Sequence, residues 1–85
     1  MRIIYHRIFK KKFKKLPSGI QTAFAHRQAL FKVNKMHPLL NNHDVSKVYT
    51  GCRSINITGD YRAIFQDEGE IVIFITIGTH SELYG

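Results

Sequence analysis

Two hydrophobic rhythms share this chain, and the change from one to the other limits its fold more than any single residue does. From Arg7 to Leu16, Phe9, Phe13 and Leu16 recur at i, i+4 and i+7, which puts an apolar stripe on one helical face. Pro17 ends that run and Ser18 stands at the N-cap position of the next. Ile20, Ala23, Phe24, Leu30 and Phe31 carry the second helix to about Met36, where His37-Pro38 closes it. Beyond a polar, turn-rich loop from Leu39 to Lys47 the period becomes two. Ser54-Ile55-Asn56-Ile57-Thr58 alternates, Gly59-Asp60 signals a turn, and Tyr61 to Gln66 forms a second strand. Asp67-Glu68-Gly69 turns again, and Glu70 to Ile77 makes a third, mostly buried strand. With the β-prone Arg2-Ile3-Ile4-Tyr5 at the start, the expected order is β-α-α-β-β-β. That is an α+β fold, an antiparallel sheet with both helices on one face. Gly78 to Gly85 reads as a polar tail with one apolar anchor, Leu83.

No repeat, linker or change of composition divides residues 1–85, so a single domain is expected. Charge then narrows the partners. Thirteen Lys and Arg against six Asp and Glu leave a net charge of +7, enough to draw polyanions at long range. Nucleic acid is the first candidate, anionic lipid the second and an acidic protein the third. No apolar run approaches the ~20 residues of a membrane-spanning helix, and no export signal is read at the start. The lone Cys52 excludes an internal disulfide and a multi-cysteine zinc site, which suits a reducing cytoplasm.

The second half then carries a set of local motifs. They are Asn42-His43-Asp44, Tyr49-Thr50-Gly51-Cys52-Arg53, Gly59-Asp60-Tyr61-Arg62-Ala63-Ile64-Phe65, and the ending Gly78-Thr79-His80-Ser81-Glu82-Leu83-Tyr84-Gly85. Together with the element order they resemble the RelE superfamily of toxins, and specifically its YafQ branch. The residue-level likeness covers about 41–85, while the N-terminal helices match in pattern only. The resemblance implies a ribosome-dependent endoribonuclease that cuts mRNA in the ribosomal A site. It also implies an acidic antitoxin encoded alongside, in a heteromeric complex, and no metal or other cofactor. The implied chemistry is attack of the ribose 2′-OH on the adjacent phosphate, leaving a 2′,3′-cyclic phosphate.

Such chemistry asks for a base, an acid and cations around a crowded phosphorane. His80 and His43 match the branch's catalytic histidines, and imidazole suits proton transfer near neutrality. On the residues alone, His80 is equally a plain tail histidine and His43 a loop hydrogen-bonder. Asp60 matches a functional aspartate, although aspartate is at home in a turn. Arg62 is the cation expected at the scissile phosphate, with Arg53 pairing with it across the sheet, unless surface ion pairs occupy both. Tyr84 stands where the branch has phenylalanine and is expected to stack on a base. Lys10, Lys11, Lys14 and Lys15 are expected to meet RNA phosphates. One departure is Asn56, which replaces a second mid-sheet histidine and cannot transfer a proton. A non-catalytic RNA- or ribosome-binding module, or a purely antitoxin-binding one, is therefore the alternative.

Overall fold

The computed structural model describes every residue from Met1 to Gly85. Strand β1 (Arg2–Tyr5) leads into α1 (Arg7–Lys14) and α2 (Ser18–Val33). A 3-10 turn (Pro38–Leu40) precedes β2 (His43–Asp44), β3 (Arg53–Asn56), β4 (Tyr61–Asp67), β5 (Ile71–Thr79) and a last helix, α3 (His80–Tyr84). The strands lie in the order β1-β5-β4-β3-β2.

The α+β class and the two packed helices are as the periodicity predicts, with three differences. The sheet is mixed, because β1 runs parallel to β5 while β2 to β5 pair antiparallel. Hairpin turns fix the direction of β3 to β5, but β1 returns to the edge across two helices, and no local pattern sets its direction. The loop between α2 and β3 contributes the extra short strand β2. The expected tail is helical.

Helix ends obey local chemistry. The Nδ1 atom of His6 accepts the Ile8 N–H at 3.0 Å and caps α1. Pro17 disfavours helical backbone just before it, so α1 stops at Lys14, short of Leu16. Pro17, not Ser18, is the N-cap of α2, and no side chain caps that end. At the other end Asn34 turns extended and its side-chain oxygen accepts the Met36 N–H at 3.1 Å. That local bond competes with the helix, which ends at Val33 rather than near Met36.

Strand alternation divides the apolar residues between two layers. Phe9, Phe24 and Phe31 from the helices pack on Ile55, Ala63, Phe65, Val72 and Phe74. Phe31 meets Phe65 edge-on at 5.1 Å, and Phe24 meets Phe74 at 5.3 Å. Such pairs contribute about 0.5–1.5 kcal/mol each beyond burial. The opposite face carries a smaller cluster, Cys52, Ile64 and Leu83, with Val45, Tyr49, Ile75 and Tyr84 around it. Opposite Ile64 and Phe65, β5 spends one extra residue, Ile75. This bulge shifts the alternation by one, so that Phe74 and Ile77, three positions apart, both face the helix layer.

Candidate active site

On the second face, an open cleft of about 720 Å³ lies between the β2 segment and α3. Asn41, His43, Asp44, Val45, Lys47 and Val48 supply one wall, while Arg62, His80 and Tyr84 supply the rest. Three of the four residues expected to carry chemistry thus converge, from positions 43, 62 and 80. Asp60 does not line the cleft.

His43 is exposed at the sheet edge, and its Nδ1 lies 2.7 Å from the Asn41 carbonyl. A carbonyl only accepts, so Nδ1 carries the hydrogen and Nε2 is left with a free lone pair in the neutral ring. Asn41 reaches this position with φ of 46°, a left-handed conformation that asparagine tolerates.

His80 owes its place to the architecture of α3. The ending Thr79-His80-Ser81-Glu82 is a capping box. Thr79 Oγ1 accepts the Glu82 N–H at 3.2 Å, and Glu82 Oε1 accepts the Thr79 N–H at 2.8 Å. The Thr79 N–H, with the Thr79 side chain adding to it, holds the Glu82 carboxyl below the usual carboxylate range. Leu83 is then buried, and the Tyr49 hydroxyl donates to its carbonyl at 2.7 Å. Burial pushes the Tyr49 phenol up, and neighbouring Tyr84 adds to the shift. At the hinge, a Cβ on Gly78 would come within 3.2 Å of Glu82 Oε1. Glycine therefore permits the close return of α3. The S/T-x-x-E signal was present in the sequence and predicts this helix; the polar composition of the segment hid it.

The Asp60 side chain is not among those lining this cleft, but its backbone braces it: the Asp60 carbonyl accepts the His80 N–H at 3.0 Å. Arg62 lies half-buried on the floor, its Nη1 donating to the carbonyls of Thr58, Gly59 and Tyr61 at 3.0–3.2 Å. The guanidinium is thereby held to the β3–β4 turn, and no carboxylate competes for it. The one ion pair in the molecule is Lys35–Asp67.

Arg53 is not beside Arg62. Asn56 is the β3 residue opposite Arg62, and Arg53 lies three positions earlier. An odd offset on a strand puts Arg53 on the other face. There its Nε donates to Asn42 Oδ1 at 2.7 Å. Lys10 and Lys14 rim a groove of about 390 Å³ between the helices, floored by Tyr5, Phe9, Phe13 and Phe24. Lys11 on α1 and Lys15 just after it are exposed, and neither they nor the other lysines of that helix line the cleft. Asn56, in the register position opposite Arg62, has its Oδ1 buried without a partner.

Tyr84 forms part of the wall. Its ring lies 4.8 Å from that of His80 and meets Tyr49 edge-on at 6.1 Å, and its hydroxyl is buried without a partner. Sequence reasoning passed over Asp44, at the end of β2, and Lys47 and Val48, in the loop after it, all of which line the cleft. Nothing but the register of β2 against β3 marks them. The Ser46 N–H donates to Asp44 at 2.7 Å and holds its carboxyl low, with a smaller pull from Arg53 and His43. No helix is long and apolar enough to cross a membrane.

The fold is shared. The crystal structure of YafQ from E. coli superimposes with a TM-score of 0.83 over 100% of both chains, at 20% identity. The E. coli DinJ-YafQ complex matches at 0.69, 19% identity and 100% coverage of both chains. The RelB-RelE antitoxin-toxin complex from Methanococcus jannaschii matches at 0.73 and 20% identity, over 95% of this chain and 94% of that one. No curated protein sequence matches the chain significantly. The model of one family, described as the bacterial toxin of type II toxin-antitoxin system YafQ, matches residues 1–85 in full. With its whole length accounted for by that family, the chain is a YafQ-type toxin of a bacterial type II toxin–antitoxin system.

Proposed function

We propose that this toxin is an endoribonuclease that cuts mRNA on the ribosome in the cytoplasm, with residues 1–85 acting as one catalytic unit. The observation that carries the reading is that one cleft is lined by two histidines, from β2 and from the start of α3, together with an arginine of β4. His43, its Nδ1–H tied to the Asn41 carbonyl, presents Nε2 as the base for the 2′-OH proton. The 2′-oxygen attacks phosphorus, the bond to the 5′-oxygen breaks, and His80 delivers a proton to that departing oxygen. The products are a 2′,3′-cyclic phosphate and a free 5′-OH. Tyr84, 4.8 Å from the His80 ring, lies within range of a cation–π contact when that ring carries its second proton. Arg62 meets the charge that builds on the phosphorane.

The same reading gives the toxin an acidic antitoxin as its partner. The family is one of toxin–antitoxin pairs, solved relatives are complexed with DinJ and RelB, and this chain carries +7 to be complemented.

The test is translation of a defined mRNA in a purified system, with mapping of the cut ends. Cleavage inside the A-site codon with 2′,3′-cyclic phosphate ends is expected from wild type. Translation blocked without cut ends, and blocked equally by His43→Ala and His80→Ala, would leave only a binding module.

A further inference from the structure

Cations in the cleft differ in how far they are already committed. Arg62 has Nη1 bonded to three carbonyls of its own turn. Lys47 lines the same cleft from the opposite wall, is exposed, and takes part in no hydrogen bond or ion pair. Asp44 is the one carboxylate lining the cleft, and it is bonded to the Ser46 N–H instead. The α1 lysines line none of it. Lys47 is therefore the permanent cation of the cleft whose donors are all unspent.

The space exceeds what one phosphate fills. A cleft of about 720 Å³ falls in the range that holds a ligand of nucleotide size. Arg62, rigid and planar, suits the fixed geometry of a reacting phosphate; a lysine is a mobile point charge that follows a flexible strand. We infer that Lys47 binds a backbone phosphate flanking the scissile one on the β2 wall, and so sets which nucleotide enters between His43 and His80. The inference rests on the ribonuclease reading of this cleft.

The experiment measures toxin binding to ribosomes whose A-site codon carries 2′-deoxy sugars, so that no cleavage is needed, across a range of salt. Wild type, Lys47→Ala and Lys47→Arg are compared on these ribosomes and on ribosomes whose mRNA ends before the A site. Loss of one single-strand phosphate contact flattens the log–log salt dependence by about 0.7. That flattening is expected for Lys47→Ala, is absent in Lys47→Arg, and disappears on ribosomes lacking the codon. With natural mRNA, KM rises and kcat holds. Equal slopes for wild type and Lys47→Ala on the full codon overturn the assignment. So does a difference that persists without the codon, which places the contact on ribosomal RNA. A fall in kcat at an unchanged slope overturns it as well, because the lysine then serves the chemistry. Failure of wild type to cut natural mRNA removes the ribonuclease reading instead, while the binding comparison still decides whether Lys47 meets a phosphate.

Discussion

The backbone N–H of His80 donates to the Asp60 carbonyl at 3.0 Å, so the β3–β4 turn holds the first residue of α3. Two residues named from the sequence for their side chains are thus joined through their main chains. The Asp60 carboxylate is exposed and outside the cleft. Asp60→Asn keeps the backbone bond and removes only the charge, and it is expected to retain cleavage within about tenfold, below the range for loss of a proton-transfer group. Primer-extension mapping of cut mRNA measures this, and a loss of a thousandfold would return the carboxylate to the chemistry.

Replacing either histidine is expected to be far more costly. His43→Ala and His80→Ala should each lower kcat by about 10²–10⁴. Both side chains are exposed, so melting temperature should hardly move. Single-turnover cleavage on programmed ribosomes, beside thermal unfolding, separates the two effects. A matching drop in stability would mean that the histidines are structural.

Arg62 serves both turn and cleft, so its variants should split. Arg62→Lys keeps a charge, but one ammonium cannot hold the three turn carbonyls and face a phosphate at once, whereas Nη1 does the first and leaves the rest of the guanidinium free. It is expected to recover part of the cleavage lost in Arg62→Ala while staying equally destabilised. Paired measurements of kcat and denaturant midpoint test the split, and full recovery of both would show that the fork geometry is dispensable.

Tyr49 secures α3 from the far side. Tyr49→Phe leaves the Leu83 carbonyl without its donor and should cost about 1 kcal/mol. Amide exchange in α3 should quicken, and cleavage should fall with it because His80 begins that helix. Unchanged exchange would mean that Leu83 burial alone anchors the segment.

Glu82 makes α3 sensitive to acid. Its carboxyl sits below the ordinary value of 4.5 because the Thr79 N–H donates to the charged form. A carboxylate lowered by folding stabilises above its unfolded value and loses that contribution as pH falls through the folded one. Exchange protection of α3 should therefore be flat above about pH 5 and decline below it. Glu82→Gln should remove the decline. A decline that survives the substitution would point to another acid.

How much of this was legible beforehand follows from the range of the forces involved. Helical and strand periods, hairpin turns and charge are local properties, and Phe9, Phe13, Phe24 and the Tyr61–Gln66 alternation assigned layers without coordinates. The motif around Gly78-Thr79-His80-Ser81-Glu82 likewise carried its own capping box, although its polar composition read as a tail. Tertiary structure alone decided the rest. The parallel seat of β1 against β5 depends on where two helices return the chain, and the β2–β3 register brings Lys47 to the cleft. Strand parity sends Arg53 and Arg62 to opposite faces, and only pairing shows which residue faces which. The sequence by itself determined which side chains could do acid–base work on a phosphodiester. Packing decided that His43, Arg62 and His80 share one cleft while the Asp60 carboxylate stands outside it, because convergence across 37 positions is set by long-range contacts that no local spacing encodes.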